Sequence, residues 1–281
     1  MSPAWAETTP FSEIFQQGVR AYQRHEYQQA MNVFTQVIAT NKTQRNSKLA
    51  AAYSNRCLIH LELAHYQQAI ADCTQGIQLN PANHESYLNR GLAYYRIEDY
   101  AAAIADYNQL LAMVPGDYRA FYNRGLAQFG LKHYEEAIAS YNQSIQLSPQ
   151  LPPARVAEVY DDRGVAYLLL EKHDDAIADF SQAIAYQDSD TRAYFNRGCA
   201  FHRSGDEAAA LRDFNLVLAI DPTHAETYFN LGMLRYQMGQ PEGAIASFQQ
   251  AAYRFYTQDK IKRYEQVMTI LKKLRDHSVI G

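Results

Sequence analysis

Apolar residues recur along this chain at helical spacing, in pairs of segments that are separated by short polar turns. Tyr87, Gly91 and Tyr94 are four and then three residues apart, and Ala103 and Tyr107 begin the same spacing in the next segment. Residues spaced in this way lie on one face of an α-helix. The pattern therefore predicts an all-α chain of about 15 helices, arranged as antiparallel pairs.

The paired segments repeat with a period of 34 residues, and most copies carry a variant of the phrase Tyr-x-Asn-Arg-Gly-x-Ala. We number the positions of one repeat from 1 to 34, with the recurring aromatic residue at position 4. The seven predicted repeats are residues 11–49, 50–83, 84–117, 118–156, 157–190, 191–224 and 225–258. We expect residues 1–10 to be a flexible N-terminus and residues 259–281 to be a capping helix and tail.

Three columns of the repeat hold small or aromatic side chains. Position 20 is alanine in all seven repeats, and position 8 is small in all seven, with Cys57 in the second. Position 24 is aromatic in six repeats and is Cys73 in the second. Because glycine inside a helix costs roughly 1 kcal/mol relative to alanine, the glycines at position 8 need a packing reason. We expect them to let two helices approach closely, with the aromatic rings around them.

This combination of a 34-residue period, aromatic residues at positions 4 and 24, glycine at 8, alanine at 20 and proline at 32 resembles the tetratricopeptide repeat. The resemblance covers residues 11–258, although the first repeat has Ile14 at position 4 and three repeats lack the proline. It implies a right-handed α-α superhelix whose first helices line a concave groove. It also implies a non-enzymatic scaffold or adaptor that binds a peptide or a partner's helix in that groove.

Charged residues occur in a paired pattern beside the predicted buried face. Position 7 is arginine in five repeats, namely Arg56, Arg90, Arg124, Arg163 and Arg197. Position 23 is aspartate in four of those five repeats, namely Asp72, Asp106, Asp179 and Asp213. A half-buried charge without a partner is costly, so we expect the arginines to bridge to aspartates of the same or the adjacent repeat.

Polar side chains occupy position 6, which the resemblance places on the concave groove. They are Asn55, Asn89, Asn123, Asn196 and Asn230, with Asp162 in the fifth repeat and Gln16 in the first. A carboxamide both donates and accepts hydrogen bonds, so a row of them suits the backbone of an extended peptide. Similar asparagine ladders occur in O-linked N-acetylglucosamine transferase and in armadillo-type peptide binders. The alternative is that each asparagine ties its own helix to the next repeat.

Aromatic and charged residues complete the predicted peptide-binding surface. The aromatic residues are Phe15, Tyr22, Tyr95, Tyr122, Phe129, Phe195, Phe229 and Tyr236. Accessible aromatic residues are the usual anchors of protein interfaces, but packing on neighbouring helices would explain them equally well. The charged residues are Arg96, Arg119, Glu158, Asp161, Asp162, Arg192, His202 and Arg203. Their order along the groove predicts complementary charge in the partner.

Composition narrows the classes of function. The 26 basic and 30 acidic residues give a net charge of −4, which argues against nucleic acid as the main partner. No apolar run reaches the ~18 residues of a membrane span, and the first residues lack the order of a secretory signal. We therefore expect a cytoplasmic protein. Cys57, Cys73 and Cys199 are few and odd in number, so they do not suggest a disulfide framework.

The sequence shows no recognisable catalytic or metal-binding constellation. The histidines fall in turns and between repeats, and Cys199 and His202 are within helical reach but lack an orienting third group. We expect no enzyme activity, no cofactor and no metal. Repeats that bind chaperone tails resemble a carboxylate clamp with lysine at position 5 and asparagine at position 9. This chain has neither residue at those positions.

The last predicted helix runs from Asp259 to about His277. Asp259 is the expected N-cap, and the expected apolar stripe is Ile261, Tyr264, Met268, Leu271 and Leu274. We expect the helix to cap the last repeat, although its basic residues could instead contact a membrane surface or an acidic partner. The alternative function is an assembly factor for a multi-subunit, membrane or photosynthetic complex, because Asn-Arg-Gly repeats resemble those of bacteria, including cyanobacteria. Self-association through the end repeats is a third interpretation.

Overall fold

The computed structural model of the protein describes residues 10–41, 47–147 and 152–278. Within them all regular structure is helical, with fifteen helices and no strand, which confirms the predicted all-α class. The helices are α1 (Pro10–Gln23), α2 (Tyr27–Asn41), α3 (Ser47–Glu62), α4 (Tyr66–Leu79), α5 (His84–Arg96), α6 (Tyr100–Met113), α7 (Tyr118–Gly130), α8 (Tyr134–Gln146), α9 (Pro153–Leu169), α10 (His173–Tyr186), α11 (Thr191–Ser204), α12 (Glu207–Ile220), α13 (Ala225–Gln237), α14 (Pro241–Thr257) and α15 (Ile261–Ser278).

The helices divide into two compact units. Helices α1–α8 form the first unit, and α9–α15 form the second. The expected flexible N-terminus lies outside the described residues up to residue 9, while Pro10 already begins α1. Pro149, one of the four prolines at position 32, also lies outside them.

Each helical pair turns back through a short connection that uses a left-handed residue at position 15. Ala64, Glu98 and Lys132 have φ values of 57°, 64° and 63° in the first unit. Gly205 and Gly239, with φ of 88° and 70°, take the same position in the second unit. Aspartates cap several helices, and Asp99 accepts a hydrogen bond from the Ala102 N–H at the start of α6. Such caps satisfy backbone donors that a helix leaves unpaired.

The glycine at position 8 lies against the aromatic ring at position 24 of the same repeat. A Cβ atom added to Gly91 would lie 2.6 Å from Cε1 of Tyr107, and one on Gly198 would lie 2.7 Å from Cε1 of Phe214. The same contact joins Gly18 to Phe34, Gly125 to Tyr141, Gly164 to Phe180 and Gly232 to Phe248. These rings are buried, so the predicted packing reason for the glycine column is confirmed.

The arginines at position 7 bind the aspartates of their own repeats. Arg90 donates from Nε to Oδ2 of Asp106 at 2.8 Å and from Nη2 to Oδ1 at 2.7 Å. The same bidentate pairs form between Arg56 and Asp72, Arg163 and Asp179, and Arg197 and Asp213. Nη1 of Arg90 also donates to Thr74 in the preceding repeat at 3.0 Å. The predicted ion pairs are therefore confirmed, and their third nitrogen can connect successive repeats.

The second repeat has no glycine–aromatic contact, because Cys57 and Cys73 occupy positions 8 and 24 and form a disulfide bond. Their sulfur atoms are 2.15 Å apart and their Cα atoms 5.4 Å apart, and both side chains are fully buried. The cysteine count gave no indication of this single bond. Positions 8 and 24 face each other across every helical pair, so cysteines at both positions fall within bonding distance.

Helix α15 covers the end of α14 with a face that matches the expected stripe only in part. Val267 and Leu271 are buried against the cluster that contains Ala251 and Phe255. Tyr264, Ile270 and Leu274 are partly buried on the same side, whereas Ile261 and Met268 are exposed. Asp259 is not the N-cap, since it is a left-handed turn residue with φ of 57° and the helix begins at Ile261. Val267 and Met268 are adjacent and both apolar, so spacing alone does not fix the rotation of this helix.

Candidate functional site

Within each unit, the first helices of successive repeats contact one another and form a continuous surface. In the first unit α3 contacts α1 and α5, and α5 contacts α7; in the second unit α11 contacts α9 and α13. We call this surface the inner wall of each unit. Positions 2, 5, 6, 9, 12 and 13 of the repeats belong to these helices. Most of the predicted binding residues therefore lie on the inner walls, one set in each unit.

The asparagines of the first unit differ in their hydrogen bonding. Asn55 donates from Nδ2 to the carbonyl of Ala51, one turn earlier in α3, at 2.8 Å. Asn89 is 8% exposed, and neither it nor the half-buried Asn123 has a side-chain hydrogen bond to any described residue. Two carboxamides on this inner wall therefore have donors and acceptors that no described residue uses.

The asparagines of the second unit are bonded to the preceding repeat. Asn196 donates to both carboxylate oxygens of Asp161, at 3.1 and 3.3 Å. Asn230 donates to Sγ of Cys199 at 3.3 Å. Asp162, which replaces asparagine in the fifth repeat, forms an ion pair with Arg192. The interpretation as ties between repeats therefore describes Asn196 and Asn230, and it does not describe Asn89 and Asn123.

A recess opens on the inner wall of the first unit, between α3 and α5. Its volume is about 240 Å³, and its lining residues are Ala51, Ser54, Asn55, Leu58, Asn83, Glu85 and Asn89. Position 5 is Ser54 here, whereas other repeats place the aromatic residues Phe15 and Tyr122 at that position. The small serine side chain leaves space that a ring fills elsewhere.

The predicted groove aromatics divide into two structural groups. Those at position 5 pack on the buried ring at position 24: Phe15 on Phe34, Tyr122 on Tyr141, Phe195 on Phe214 and Phe229 on Phe248. Those at position 12 mostly pair with the tyrosine that begins the second helix: Tyr22 with Tyr27, Tyr95 with Tyr100 and Phe129 with Tyr134. Tyr236 is 53% exposed and has the most accessible ring of the set. Packing on neighbouring helices therefore accounts for most of these side chains.

Many of the predicted groove charges are already neutralised within their own unit. Arg119 forms ion pairs with Glu85 and Asp117, at 2.8 and 2.7 Å. Glu158 pairs with Arg155 on the same helix. Arg96 and Arg203 are exposed, and neither has an ion pair with any described residue. Arg96 and Arg203 are therefore available to carboxylates of a partner.

Arg192 lies over two carboxylates on the inner wall of the second unit. It forms ion pairs with both Asp161 and Asp162. Asp161 is 1% exposed, and burial raises the pKa of its carboxyl group to about 6 even though Arg192 and Asn196 lower it. This cluster was not predicted from the sequence, because its contacts join residues about one repeat apart.

Cys199 and His202, the remaining candidates for chemistry, are bonded to different residues. His202 bonds through Nε2 to the side-chain oxygen of Gln237. Burial raises the pKa of the Cys199 thiol to about 11, so the nucleophilic thiolate is disfavoured. Among the described residues no group of three or more histidines, cysteines and carboxylates is arranged to hold a metal ion. No described helix is both long and apolar enough to cross a membrane.

Two kinds of known protein are similar to this chain. The rat mitochondrial import receptor subunit TOM70 (Rattus norvegicus) is 30% identical over 64 residues, which are 23% of this chain and 10% of the receptor. A tetratricopeptide repeat protein from Parabacteroides merdae has a similar structure, with a TM-score of 0.66, 19% identity, and coverage of 92% of this chain and 98% of that one. YrrB, a TPR protein with an unusual peptide-binding site, has a TM-score of 0.56 and 21% identity, covering 65% and 91%.

The match to the import receptor spans only about a tenth of the receptor's length. Similarity at the identities of the two solved structures shows the fold alone. Family models for the tetratricopeptide repeat match residues 55–117, 88–152 and 162–225, and a second model matches residues 214–246. These matches cover more than half of the 281 residues, and the repeat is a protein-interaction scaffold. The chain therefore belongs to the tetratricopeptide repeat family.

Proposed function

We propose that this protein is a non-enzymatic adaptor that holds an extended segment of a partner protein against the inner wall of its first unit. The observation that carries the proposal is the free state of Asn89 and Asn123. Both carboxamides lie on first helices, and neither has a hydrogen bond to a described residue. A ligand that forms hydrogen bonds with both carboxamides would gain affinity from them.

The placement of the two asparagines on neighbouring helices is consistent with an extended peptide as the ligand. They occupy position 6 in consecutive repeats, on α5 and α7, which contact each other. A carboxamide both donates and accepts, and so does each peptide unit of an extended chain. Because the helices are ordered by the glycine–aromatic contacts before any ligand arrives, the protein loses little conformational entropy on binding.

The second unit would contribute less to main-chain recognition. Asn196 and Asn230 already donate to Asp161 and Cys199, so their amide groups are partly occupied. The exposed Tyr236 and Arg203 remain available on this inner wall for side-chain contacts. YrrB, whose description mentions an unusual peptide-binding site, supports a peptide-binding role through the shared fold.

Affinity capture with a matched set of asparagine variants tests this proposal. Asn89→Ala and Asn123→Ala should each lose the captured partner while the midpoint of thermal unfolding changes little. Asn32→Ala is the control, since Asn32 is exposed on α2 and should keep the partner. Asn196→Ala should lower stability, because it leaves Asp161 with fewer hydrogen bonds. A partner that binds both the Asn89 and Asn123 variants as well as the wild type would rule out the proposal.

A further inference from the structure

Four exposed apolar side chains lie close together at the C-terminal end of the second unit. They are Tyr253 and Tyr256 on the last turns of α14, and Ile261 and Met268 on α15. The rings of Tyr256 and Tyr264 pack with their centroids 5.5 Å apart. Tyr264 is three residues after Ile261 and four before Met268, spacings that make side chains neighbours on a helix. The four exposed residues therefore form one surface, which we call the end patch.

Capping the last repeat does not account for the end patch. Helix α15 covers the end of α14 by burying Val267 and Leu271. Ile261 and Met268 lie seven residues apart along another side of the same helix, and they are 43% and 41% exposed. The outer side of a terminal helix in a repeat array is normally polar. A cluster of exposed apolar side chains there indicates a docking surface.

Positive charge adjoins the end patch. Helix α15 has five basic residues and two acidic ones, although the chain as a whole has a net charge of −4. Lys262 follows Ile261 directly, and Lys272 lies one turn after Met268. Both lysines are exposed, and neither has an ion pair with a described residue. Glu265, between the two apolar residues, is also exposed and offsets only part of this charge.

Apolar side chains beside lysines fit the surface of a bilayer that contains anionic lipids. The anionic headgroups attract the lysines, while tyrosine and aliphatic side chains enter the boundary between headgroups and acyl chains. A second copy of the protein fits less well, because a two-fold contact through the patch would bring the two Lys272 side chains toward each other. A nucleic acid would attract the lysines but would leave Ile261 and Met268 without an apolar contact.

We propose that the end patch docks the protein on a membrane surface that contains anionic lipids, with α15 lying along that surface. The inner wall of the second unit stays accessible in this orientation. Arg263 lies over the ring of Phe229 on that wall, with its Cζ atom 4.8 Å from the ring centroid. Ile261 and Arg263 are two residues apart, which is about 200° around a helix. The end patch and the inner wall are therefore on different sides of α15, so the docked protein can hold a partner.

Co-sedimentation of the full-length protein with lipid vesicles tests this docking surface. One set of vesicles is phosphatidylcholine alone, and the other contains about one third phosphatidylserine. We expect the protein to sediment with the second set only. Binding should weaken when the salt concentration is raised to about 0.5 M, because salt screens the attraction between lysines and headgroups. No sedimentation with the anionic vesicles, or equal sedimentation with both sets, would overturn the inference.

Lysine variants test the contribution of charge. The double variant Lys262→Gln, Lys272→Gln should lower the partition coefficient on anionic vesicles by about tenfold, because each lysine near an anionic surface contributes to the attraction. The double variant Lys132→Gln, Lys172→Gln is the matched control. It makes the same change in net charge at exposed positions outside α15 and should bind as the wild type does. An equal loss in both double variants would overturn the assignment to α15.

An apolar variant tests the insertion of side chains. Met268→Gln should lower the partition coefficient by about fivefold, the loss expected for one partly inserted side chain. Leu216→Gln changes a similarly exposed side chain on α12 and should bind as the wild type does. Undiminished binding by Met268→Gln would show attraction to charge alone and overturn the end patch. A dimer in light scattering that Met268→Gln dissociates would assign the patch to a second copy and likewise overturn it.

Vesicle binding and the proposed peptide binding involve different residues. Asn123→Ala changes the inner wall of the first unit and should bind anionic vesicles as the wild type does. The lysine and methionine variants of α15 should still capture the partner. Either function can therefore fail in these experiments while the other is retained.

Discussion

Cys57 and Cys73 face each other in the second repeat at the two positions where the other six repeats place a glycine against an aromatic ring. The disulfide is therefore a substitute for that contact, with two sulfur atoms filling the space between α3 and α4. Both residues are fully buried among Ala69 and Ala93. A covalent bond here replaces packing that the repeat normally obtains from a ring.

Restoring the glycine–aromatic pair of the other repeats should separate the effect of the disulfide bond on stability from the effect of the packing. Cys57→Gly alone should lower the free energy of unfolding by about 3 kcal/mol, the loss expected for a bond closing a loop of about 15 residues. The double variant with Cys73→Phe should recover part of this loss, because the ring then covers the glycine. Urea unfolding of the wild type and the variants measures both changes.

Thiol counting provides the control for this prediction. The denatured, unreduced wild type should show one free thiol, from Cys199, and three after treatment with dithiothreitol. Reduction should lower the unfolding midpoint of the wild type and leave the double variant unchanged. Three free thiols before reduction would contradict the disulfide. Disulfides persist mainly in oxidising compartments, so the same count on protein taken from its cells also tests the cytoplasmic location expected from the sequence.

Arg124 is the arginine of the fourth repeat, and it lacks the aspartate that its counterparts have. It donates instead to Ser140 at 3.0 Å and to Asn108 at 2.8 Å, and burial lowers its pKa. Ser140→Asp should supply the missing carboxylate and raise the free energy of unfolding by about 1 kcal/mol. Gln128, which now accepts from Ser140, would turn its amide to donate.

The reciprocal change tests the same idea in the sixth repeat. Asp213→Ser should leave Arg197 without a carboxylate partner, as Arg124 is now. The free energy of unfolding should fall by about 2 kcal/mol. This loss is smaller than that for breaking a fully buried ion pair, because Arg197 keeps some solvent contact. Thermal and urea unfolding measure both variants. A destabilised Ser140→Asp protein would show that the desolvation of the new carboxylate outweighs the ion pair.

Tyr107 is buried with a hydroxyl group that has no hydrogen-bond partner among the described residues. Four other repeats have phenylalanine at this position, including Phe180 and Phe214. Tyr107→Phe should raise the free energy of unfolding by about 1 kcal/mol, because it removes a polar group that folding strips of water. The reverse change, Phe214→Tyr, should lower it by a similar amount. No gain in the first variant would indicate that the hydroxyl of Tyr107 is satisfied in solution.

The sequence was informative where a residue type recurs in one column. The glycine–aromatic contacts and the Arg90–Asp106 type of ion pair could be predicted because each is repeated several times. Features that occur once were missed or misjudged. To predict the disulfide, one would have to notice that Cys57 and Cys73, the exceptions in two columns, belong to the same repeat. Helix α15 lies beyond the repeated pattern, so no column fixes its rotation.

The candidate site was predicted less completely than the fold. Position 6 identified the asparagines of the inner walls, but sequence could not show that Asn196 is bonded while Asn89 is free. That difference depends on the neighbour in the preceding repeat, which is Asp161 for Asn196. The recess likewise depends on the small side chain of Ser54 and on the pairing of Glu85 with Arg119, which are contacts between repeats.

Asp161 should make the stability of the protein depend on pH. Burial raises the pKa of its carboxyl group from 3.8 to about 6 in the folded protein, so the folded state holds this proton more tightly than the unfolded state. Its contribution to stability is therefore greatest below about pH 4 and is lost as the pH rises through 6. Asp161→Asn cannot ionise and should lack this dependence.

Unfolding in urea at pH 4, 5.5 and 7 compares the two proteins directly. The free energy of unfolding of the wild type, relative to Asp161→Asn, should fall by about 2 kcal/mol across this range, since the unfolded carboxyl group has begun to ionise at pH 4. Arg192 lowers the pKa of Asp161, so Arg192→Gln should move the transition to higher pH. Carbon-13 NMR of the carboxyl group reports the pKa itself. Parallel pH profiles, with the carboxyl titrating near pH 4, would show that Asp161 is well solvated or that its ion pair with Arg192 offsets the cost of burial.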